Sequence, residues 1–529
     1  MKLKYSWILA LVLTGCQTPQ QPTEKEVTEL PPTTQQSQVE IAPPAQEKPQ
    51  EVAVEPVEEV EKAPELTPQQ QQDLWKRIGM QLKLPVANDE KVEYYRNWYI
   101  KHPSHLRIVS KRAEPYLHLI VEKIEQKNLP MELALLPVVE SSFDAFAYSH
   151  GSAAGLWQFI PGTGKWYGLE QNYWYDGRRD VSASTDAALK YLSDLNNRFD
   201  GNWNHAIAAY NSGGGRVSSA IRKNRRLNKP TDFFSLELPQ ETSAYVPKLM
   251  AIADIVAHQE KYGVEIPAIE NKPVLVQVDP KEQLDLGIAA QYADISVKEL
   301  QSYNPAYNQW ATAPDGPHQL LIPIEKKDQF LAQVEKNRGK GIKLIRYKVQ
   351  AGDSLGLIAQ KHKTTVKVIQ TANGMSNSNI RAGHYLLIPT STQSNSAYIL
   401  SAENRLKQTQ SRSRGDYKVS HTVKSGESFW TIAKQHNVSV QSLAKWNGMA
   451  PKDTLHVGQK LVVWKKGSAG AVMRTVYYNV RSGDSISSIA HRFKVRTSDV
   501  VKWNNLNTSK YLKLGQKLKL YVDVTKVTV

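Results

Sequence analysis

The chain has 529 residues, room for roughly three or four domains, and its 40% apolar fraction leaves some of that length for linkers. Its net charge of +16 is uneven: residues 17–72 hold eleven Glu against three Lys, residues 73–340 balance at 32 basic and 32 acidic, and residues 341–529 hold 30 basic against eight acidic. The only cysteine is Cys16, which excludes an intramolecular disulfide.

Residues 1–15 read as a lipoprotein signal peptide. Lys2 and Lys4 precede an apolar run, Tyr5 to Leu13, that is too short to cross a bilayer. Leu13-Thr14-Gly15-Cys16 then resembles a bacterial lipobox, in which cleavage leaves Cys16 as a lipidated N-terminus; a Sec signal peptide with an incidental cysteine is the alternative. Several acyl chains hold a protein stably on a membrane where a single one does not. Gln17 stands where Asp would favour the inner membrane, so Gram-negative sorting rules imply an outer-membrane lipid anchor facing the periplasm. Residues 16–72, with ten Pro among their Glu, predict an extended, self-repelling tether.

Residues 73–270 predict a mainly helical domain. Glu114–Lys127 is amphipathic. Pro130 suits the first turn of a helix running to Glu140. Leu133, Leu136, Pro137 and Glu140 follow i, i+3, i+4, i+7 spacing, which puts a carboxylate on the inward stripe. An ionised Glu is costly there without a partner; desolvation favours its protonated form and raises its pKa, which suits a general acid near neutral pH. A structural carboxylate hydrogen-bonded to backbone N–H groups is the other reading of this position. Ser182–Phe199 and Ala244–His258 predict further helices, and Asn204–Tyr210 a short one that stops at Asn211-Ser212-Gly213-Gly214-Gly215.

Around Glu140 the sequence runs Glu140-Ser141-Ser142-Phe143, Ala147-Tyr148-Ser149 and Gly155-Leu156-Trp157-Gln158-Phe159. Ala209-Tyr210-Asn211-Ser212-Gly213 and Glu241-Thr242-Ser243-Ala244-Tyr245-Val246 follow downstream. In this order the segments resemble the soluble lytic transglycosylase catalytic family, across roughly residues 110–260. The resemblance implies an α-helical lysozyme-like fold in which Glu140 alone protonates the GlcNAc leaving oxygen and then deprotonates the MurNAc 6-hydroxyl. The product would be a 1,6-anhydromuramoyl end, in cell wall turnover and remodelling. It further implies that Tyr210 and Asn211 position the sugar and polarise its N-acetyl group, that Ser149 and Gln158 hydrogen-bond substrate, and that Tyr245 lines the cleft near Glu140. Each has a plainer reading: Tyr210 as a core aromatic, Asn211 as a helix stop, Ser149 and Gln158 as loop and cap residues. Trp157, where many relatives have Met, is expected to fill an apolar position beside the cleft.

Two-carboxylate glycosidases add a nucleophile or water-activating base to the acid. Asp144 would be the second carboxylate of a hydrolase, but its place at the helix end assigns it to a turn. A lysozyme- or chitinase-type hydrolase and a non-catalytic murein-binding anchor are the rival functions. No cofactor is expected. The 13 His show no metal-ligand spacing, and Gly213-Gly214-Gly215 follows a helix rather than a strand, which makes it a poor phosphate loop.

The C-terminal third repeats itself. Tyr347, His421 and Tyr478 each open a segment with Gly-Asp-Ser or Gly-Glu-Ser five residues on, then Ile-Ala, an Asn (Asn373, Asn447, Asn504) and a closing Gly (Gly383, Gly458, Gly515). The three copies resemble the LysM module, a βααβ fold that binds N-acetylglucosamine-containing glycans. They span 346–389, 420–463 and 477–521. Residues 271–340 hold a possible degenerate copy without the opening Gly-Asp-Ser. Ser391–Ser420 and Lys465–Thr475 are expected as linkers between separate beads. The basic charge calls for an anionic partner, and the resemblance makes it peptidoglycan glycan strands rather than nucleic acid. The expected architecture is therefore multidomain: an α-helical lysozyme-like catalytic domain followed by small α+β LysM modules.

Overall fold

The computed structural model describes residues 66–466, 473–507 and 511–523. The leader, Cys16 and most of the tether lie outside the described residues. The expected tether end at residue 72 is corrected, because Pro68–Gln70 forms a 3-10 turn held to the helical domain. The Asn271 side chain donates to the carbonyls of Gln69 (3.2 Å) and Gln71 (2.8 Å), and its backbone N–H to Gln72 (2.9 Å).

The helical domain contains α1 (Leu74–Gly79), α2 (Glu90–Lys101), α3 (Pro103–Ala113), α4 (Leu117–Gln126), α5 (Leu136–Ser141), α6 (Pro161–Trp166), α7 (Val181–Arg198), α8 (Trp203–Ser212), α9 (Gly214–Arg226), α10 (Gln240–Ala257) and α11 (Gln259–Tyr262). Several starts are fixed by side-chain caps that satisfy orphan N–H groups: Asp180 accepts from Ala183 N–H at α7, and Asn202 from His205 N–H at α8. Helix α10 is buried on nearly every face and packs against α1, α2, α5 and α8, which makes it the centre of the core.

The helix expected from Pro130 to Glu140 is split into a 3-10 turn, Met131–Leu135, and the short α5. Pro137 causes the break, since in a continuous helix its ring would clash with the Leu133 carbonyl and it has no N–H to give. The expected stop at 211–215 is a corner instead: α8 runs to Ser212, Gly213 turns at φ 87°, and α9 begins at Gly214.

Among the described residues four two-stranded antiparallel sheets follow. The first joins β1 (Leu275–Val278) and β2 (Leu320–Pro323) around α12 (Leu286–Ala293) and α13 (Val297–Tyr303), with α14 (Lys327–Lys336) packed beside it. The degenerate segment thus has a complete βααβ order. Its α12 is capped by Asp285 where the other copies use Ser. The second sheet pairs β3 (Lys343–Lys348) with β4 (Tyr385–Thr390) around α15 (Leu355–Lys361) and α16 (Val366–Ala372). After α17 (Ala402–Ser411), the third pairs β5 (Tyr417–Thr422) with β6 (Lys460–Lys465) around α18 (Phe429–His436) and α19 (Val440–Trp446). The fourth pairs β7 (Met473–Asn479) with β8 (Lys517–Asp523) around α20 (Ile486–Arg492) and α21 (Thr497–Asn504).

The picture of separate beads is corrected. The stretch after β4, expected as linker, is packed: Tyr398 is buried and its hydroxyl donates to Asp285 (2.7 Å), Thr392 donates to the same carboxylate (2.7 and 2.9 Å), and Ala402 N–H reaches Asn308 (2.8 Å). The second and third modules share a core, in which Tyr521 of β8 packs among the apolar residues of the second module.

Candidate active site

Three segments of the helical domain meet at Glu140: the last turn of α5, the C-terminal end of α8 and the first turns of α10. The Tyr245 hydroxyl, on α10, donates to Glu140 Oε1 at 2.5 Å. Glu140 is half-buried and Tyr245 buried. Burial pushes the Glu140 carboxyl up to about 7; the Tyr245 hydrogen bond pulls it back, the Glu241 carboxylate adds to the rise, and Lys248 opposes it. The inward-facing carboxylate expected from the helical spacing is therefore present, and its partner is a phenol rather than backbone N–H groups.

The loop from α5 to α6 forms one wall. Gly155 sits at φ 80°, where a Cβ would stand 2.0 Å from the Arg178 carbonyl, so only glycine fits. Leu156 and Trp157 are buried, and the Trp157 indole donates to Thr185 Oγ1 (2.9 Å). Trp157 thus fills a core position, and its carbonyl accepts the Tyr210 hydroxyl next to Glu140. Ser141 Oγ donates to the Leu156 carbonyl (3.0 Å) and ties α5 to this loop. Arg178, clamped by Asp176 through two hydrogen bonds (2.9 and 2.8 Å), donates to the carbonyls of Ser152 (2.7 Å) and Phe159 (3.3 Å).

The other residues singled out from the sequence fall around this centre. Tyr210 donates to the Trp157 carbonyl (2.8 Å), and burial, then the nearby Glu140, lifts its pKa well above the usual phenol value. Asn211 Oδ1 accepts from Thr242 Oγ1 (2.8 Å), while its Nδ2 faces Glu241 (3.4 Å). Ser149 Oγ accepts from the N–H groups of Gly151 (3.1 Å) and Ala153 (3.0 Å). Gln158, at φ 48°, donates from Nε2 to the Gly155 carbonyl (2.8 Å). Asp144 Oδ1 accepts from Phe146 N–H (3.0 Å) in a turn, and its other oxygen lies 3.8 Å from Arg112.

Sequence reasoning passed over Thr242, Asp176, Arg178 and Asp453. Thr242 and Tyr245 share an i, i+3 face, a signal the sequence does carry. Asp453, on a loop of the second module, accepts from Tyr148 (2.9 Å) and Ser152 (2.5 Å), so that module touches the cleft loop. Nothing in its neighbourhood marks it.

The repeats show why their shared residues recur. Asn373 Nδ2 donates to the carbonyls of Ile369 and Leu387 (both 2.7 Å), and its Oδ1 accepts from Leu387 N–H (2.7 Å). Asn447, Asn504 and Asn304 of the degenerate segment make the same clasp between second helix and closing strand. The acidic residue of the opening motif also recurs in one role. Asp353 and Asp484 accept from the leading Tyr, Glu427 pairs with His421, and each accepts a turn N–H. Among the described residues no group of three or more His, Cys, Asp or Glu is placed to hold a metal ion.

Comparison with known proteins gives matches along both the helical domain and the repeats. Residues 119–233 match the family described as Transglycosylase SLT domain. Residues 274–338 match that described as Lytic transglycosylase MltD, LysM-like domain, and residues 347–389, 421–464 and 478–520 each match the LysM domain. The chain is 35% identical over 453 residues to membrane-bound lytic murein transglycosylase D of Escherichia coli strain K12, covering 85% of this chain and 86% of that protein. It is 45% identical over 166 residues to a putative tributyltin chloride resistance protein of Alteromonas sp. strain M-1, covering 31% of this chain and 78% of that one. An autolysin of Enterococcus faecalis is 31% identical over 185 residues, covering 32% of this chain and 24% of that one.

Proposed function

Because this chain belongs to the membrane-bound lytic murein transglycosylase D family, a family of peptidoglycan-cleaving enzymes, we propose that Glu140 is the single acid and base of a non-hydrolytic cleavage between MurNAc and GlcNAc. The observation that carries this reading is one carboxyl raised to about 7, with a phenol on Oε1 and, among the described residues, no second carboxylate prepared for water activation. Asp144 is committed to its turn and to Arg112, and Glu241 is exposed. A carboxyl with a pKa near 7 is protonated often enough to act as acid and is a strong enough base afterwards.

The sequence of events follows from the hydrogen bond. With Tyr245 on Oε1, Oε2 carries the transferable proton. Glu140 gives it to the glycosidic oxygen, and the bond from C1 to that oxygen breaks. The charge left at C1 is met by the substrate's own N-acetyl oxygen. The new carboxylate, stabilised by the Tyr245 hydroxyl, takes the proton of the MurNAc 6-hydroxyl as that oxygen closes onto C1. No water is consumed, and the product has a 1,6-anhydro end. The reaction is of the carbon–oxygen lyase class acting on a polysaccharide.

Asn211 keeps an amide N–H for the N-acetyl oxygen, and Thr242 fixes its orientation. Tyr210 holds the Trp157 backbone and so shapes the sugar site. Ser149 retains its hydroxyl proton, and Gln158 its Oε1, for substrate hydroxyls. On this reading residues 73–270 are the catalytic domain, and 346–389, 420–463 and 477–521 are glycan-binding modules. The enzyme serves cell wall turnover, lipid-anchored through Cys16 on the periplasmic side of the outer membrane. Among the described residues no helix is long and apolar enough to cross a membrane.

Mass spectrometry of digested murein tests the chemistry: anhydro ends are expected, and reducing ends alone would establish the hydrolase. Glu140→Gln should abolish cleavage with the fold retained; full activity in that variant would remove Glu140 from the chemistry.

A further inference from the structure

A groove of about 560 Å³ lies where the second and third modules meet, within the range of ordinary ligand sites. Tyr417, Trp446 and Trp503 line it and are each half-buried, leaving aromatic surface uncovered. Trp464 also lines it; this residue is buried, and its indole N–H has no hydrogen-bond partner among the described residues. Arg414, Lys465, Lys466 and Lys502 surround these rings against one carboxylate, Asp499. The cations feel one another. Lys465 is pushed below its ordinary pKa by burial and then by Lys502, and His436, on the same wall, is pushed down to about 4 by burial and then by His421, Lys502 and Lys465.

The two walls are fixed to each other. Lys502 donates to the Gln435 carbonyl (2.6 Å), Lys424 to Asn505 (2.7 Å), and Tyr521 packs against Tyr417 (6.2 Å between ring centres). The groove lies away from the opening motif and the closing glycine of the second module, since Gly426, Glu427, Ser428 and Gly458 do not line it. The first module lines a groove with the same face, but it lacks these rings. Counted from Tyr347 and from the Asn373 clasp, the positions of Tyr417, Trp446 and Trp464 are held there by Lys343, Ala372 and Pro389.

We propose that this groove is a subsite for peptide-substituted glycan, stacking a sugar ring on its aromatic faces and holding a stem-peptide carboxylate among its cations. The inference rests on peptidoglycan being the substrate. The apolar face of a pyranose covers an aromatic ring as another ring does. Cations that repel one another gain from an anion placed between them, and charge-assisted hydrogen bonds to a carboxylate are the strong kind. A neutral, peptide-free sugar chain would use the rings alone.

The test uses the full chain carrying Glu140→Gln, so that the probes are not cut, and isothermal titration with two probes: glycan oligomers bearing stem peptides, and peptide-free GlcNAc oligomers. Arg414 and Lys466 are exposed, so Arg414→Gln with Lys466→Gln removes charge without disturbing the fold. This variant should weaken the peptide-bearing probe about five- to tenfold at one set of sites and leave the peptide-free probe unchanged. Trp446→Leu should weaken both probes, its folding checked by the thermal unfolding of the second module. If the charge variant binds the peptide-bearing probe like the parent, or loses both probes equally, the carboxylate subsite is wrong. Absence of binding by the parent itself would instead overturn the peptidoglycan reading.

Discussion

Glu140→Gln should make the catalytic domain more stable at alkaline pH while removing its activity. The folded carboxyl ionises at about 7, against roughly 4.3 when exposed in the unfolded chain. Between these values the unfolded state has released a proton that the folded state still holds. Stability therefore falls as pH rises from about 4.5 to about 7 and then levels off. A displacement of this size is worth about 4 kcal/mol, reduced to about 2 kcal/mol because part of the side chain faces water. Gln has the same shape and its amide oxygen still accepts the Tyr245 hydroxyl, so the substitution removes the ionisation cost and little else. For a domain of this size about 2 kcal/mol raises Tm by roughly 4–8 °C. Calorimetry across a pH series should show that gain at pH 8 and no difference at pH 4. A difference that does not depend on pH, or a less stable Gln variant at pH 8, would refute the assignment of a raised carboxyl to Glu140.

Tyr245→Phe removes the hydrogen bond that lowers the Glu140 pKa, so that pKa should climb by about one unit or more. The acid then stays protonated to higher pH, and the alkaline limb of kcat/KM should move upward; a limb that stays in place or moves down would contradict this. Gly155→Ala places a Cβ 2.0 Å from the Arg178 carbonyl at φ 80° and should cost at least about 3 kcal/mol, read as a lost or much lowered thermal transition of the catalytic domain; an unchanged Tm would refute the close approach. Asn447→Ala strips the second module of its clasp and leaves the Val462 N–H and carbonyl without their side-chain partner. A cost of about 2–4 kcal/mol is expected, visible as early protease cleavage within 417–465, and intact digestion kinetics would show the clasp to be dispensable.

Much of the site is legible because its residues cluster in three short segments with strong local signals. Glu140 stands out as a charge on an apolar stripe, and Tyr210, Asn211 and Tyr245 recur in recognisable motifs. The geometry explains what a motif cannot say about itself. Trp157 reads as an apolar filler, but the pattern does not say that its indole N–H needs a partner, which Thr185 supplies within the core. The helix break at Pro137 has a local cause that the sequence does carry, since a proline inside an apolar run restarts the helix in its own first turn.

The modules teach the same point from the other direction. Their shared Asn looks like a ligand-binding residue in a glycan module, yet all four copies use it to pin the second helix to the closing strand. A strand N–H and carbonyl that face the second helix need partners, and a side-chain amide carries a donor and an acceptor side by side that serve both at once. That demand alone accounts for the recurrence, including in the degenerate segment that lost its opening motif. The packing between modules has no such local cause. Asp285 meets Tyr398 across more than a hundred residues, and Asp453 meets Ser152 across three hundred. A carboxylate, a phenol and a hydroxyl in polar loops are unremarkable each by itself, and only the fold turns them into partners. The stretch after β4 has the composition of a linker, whereas its order comes from what it touches.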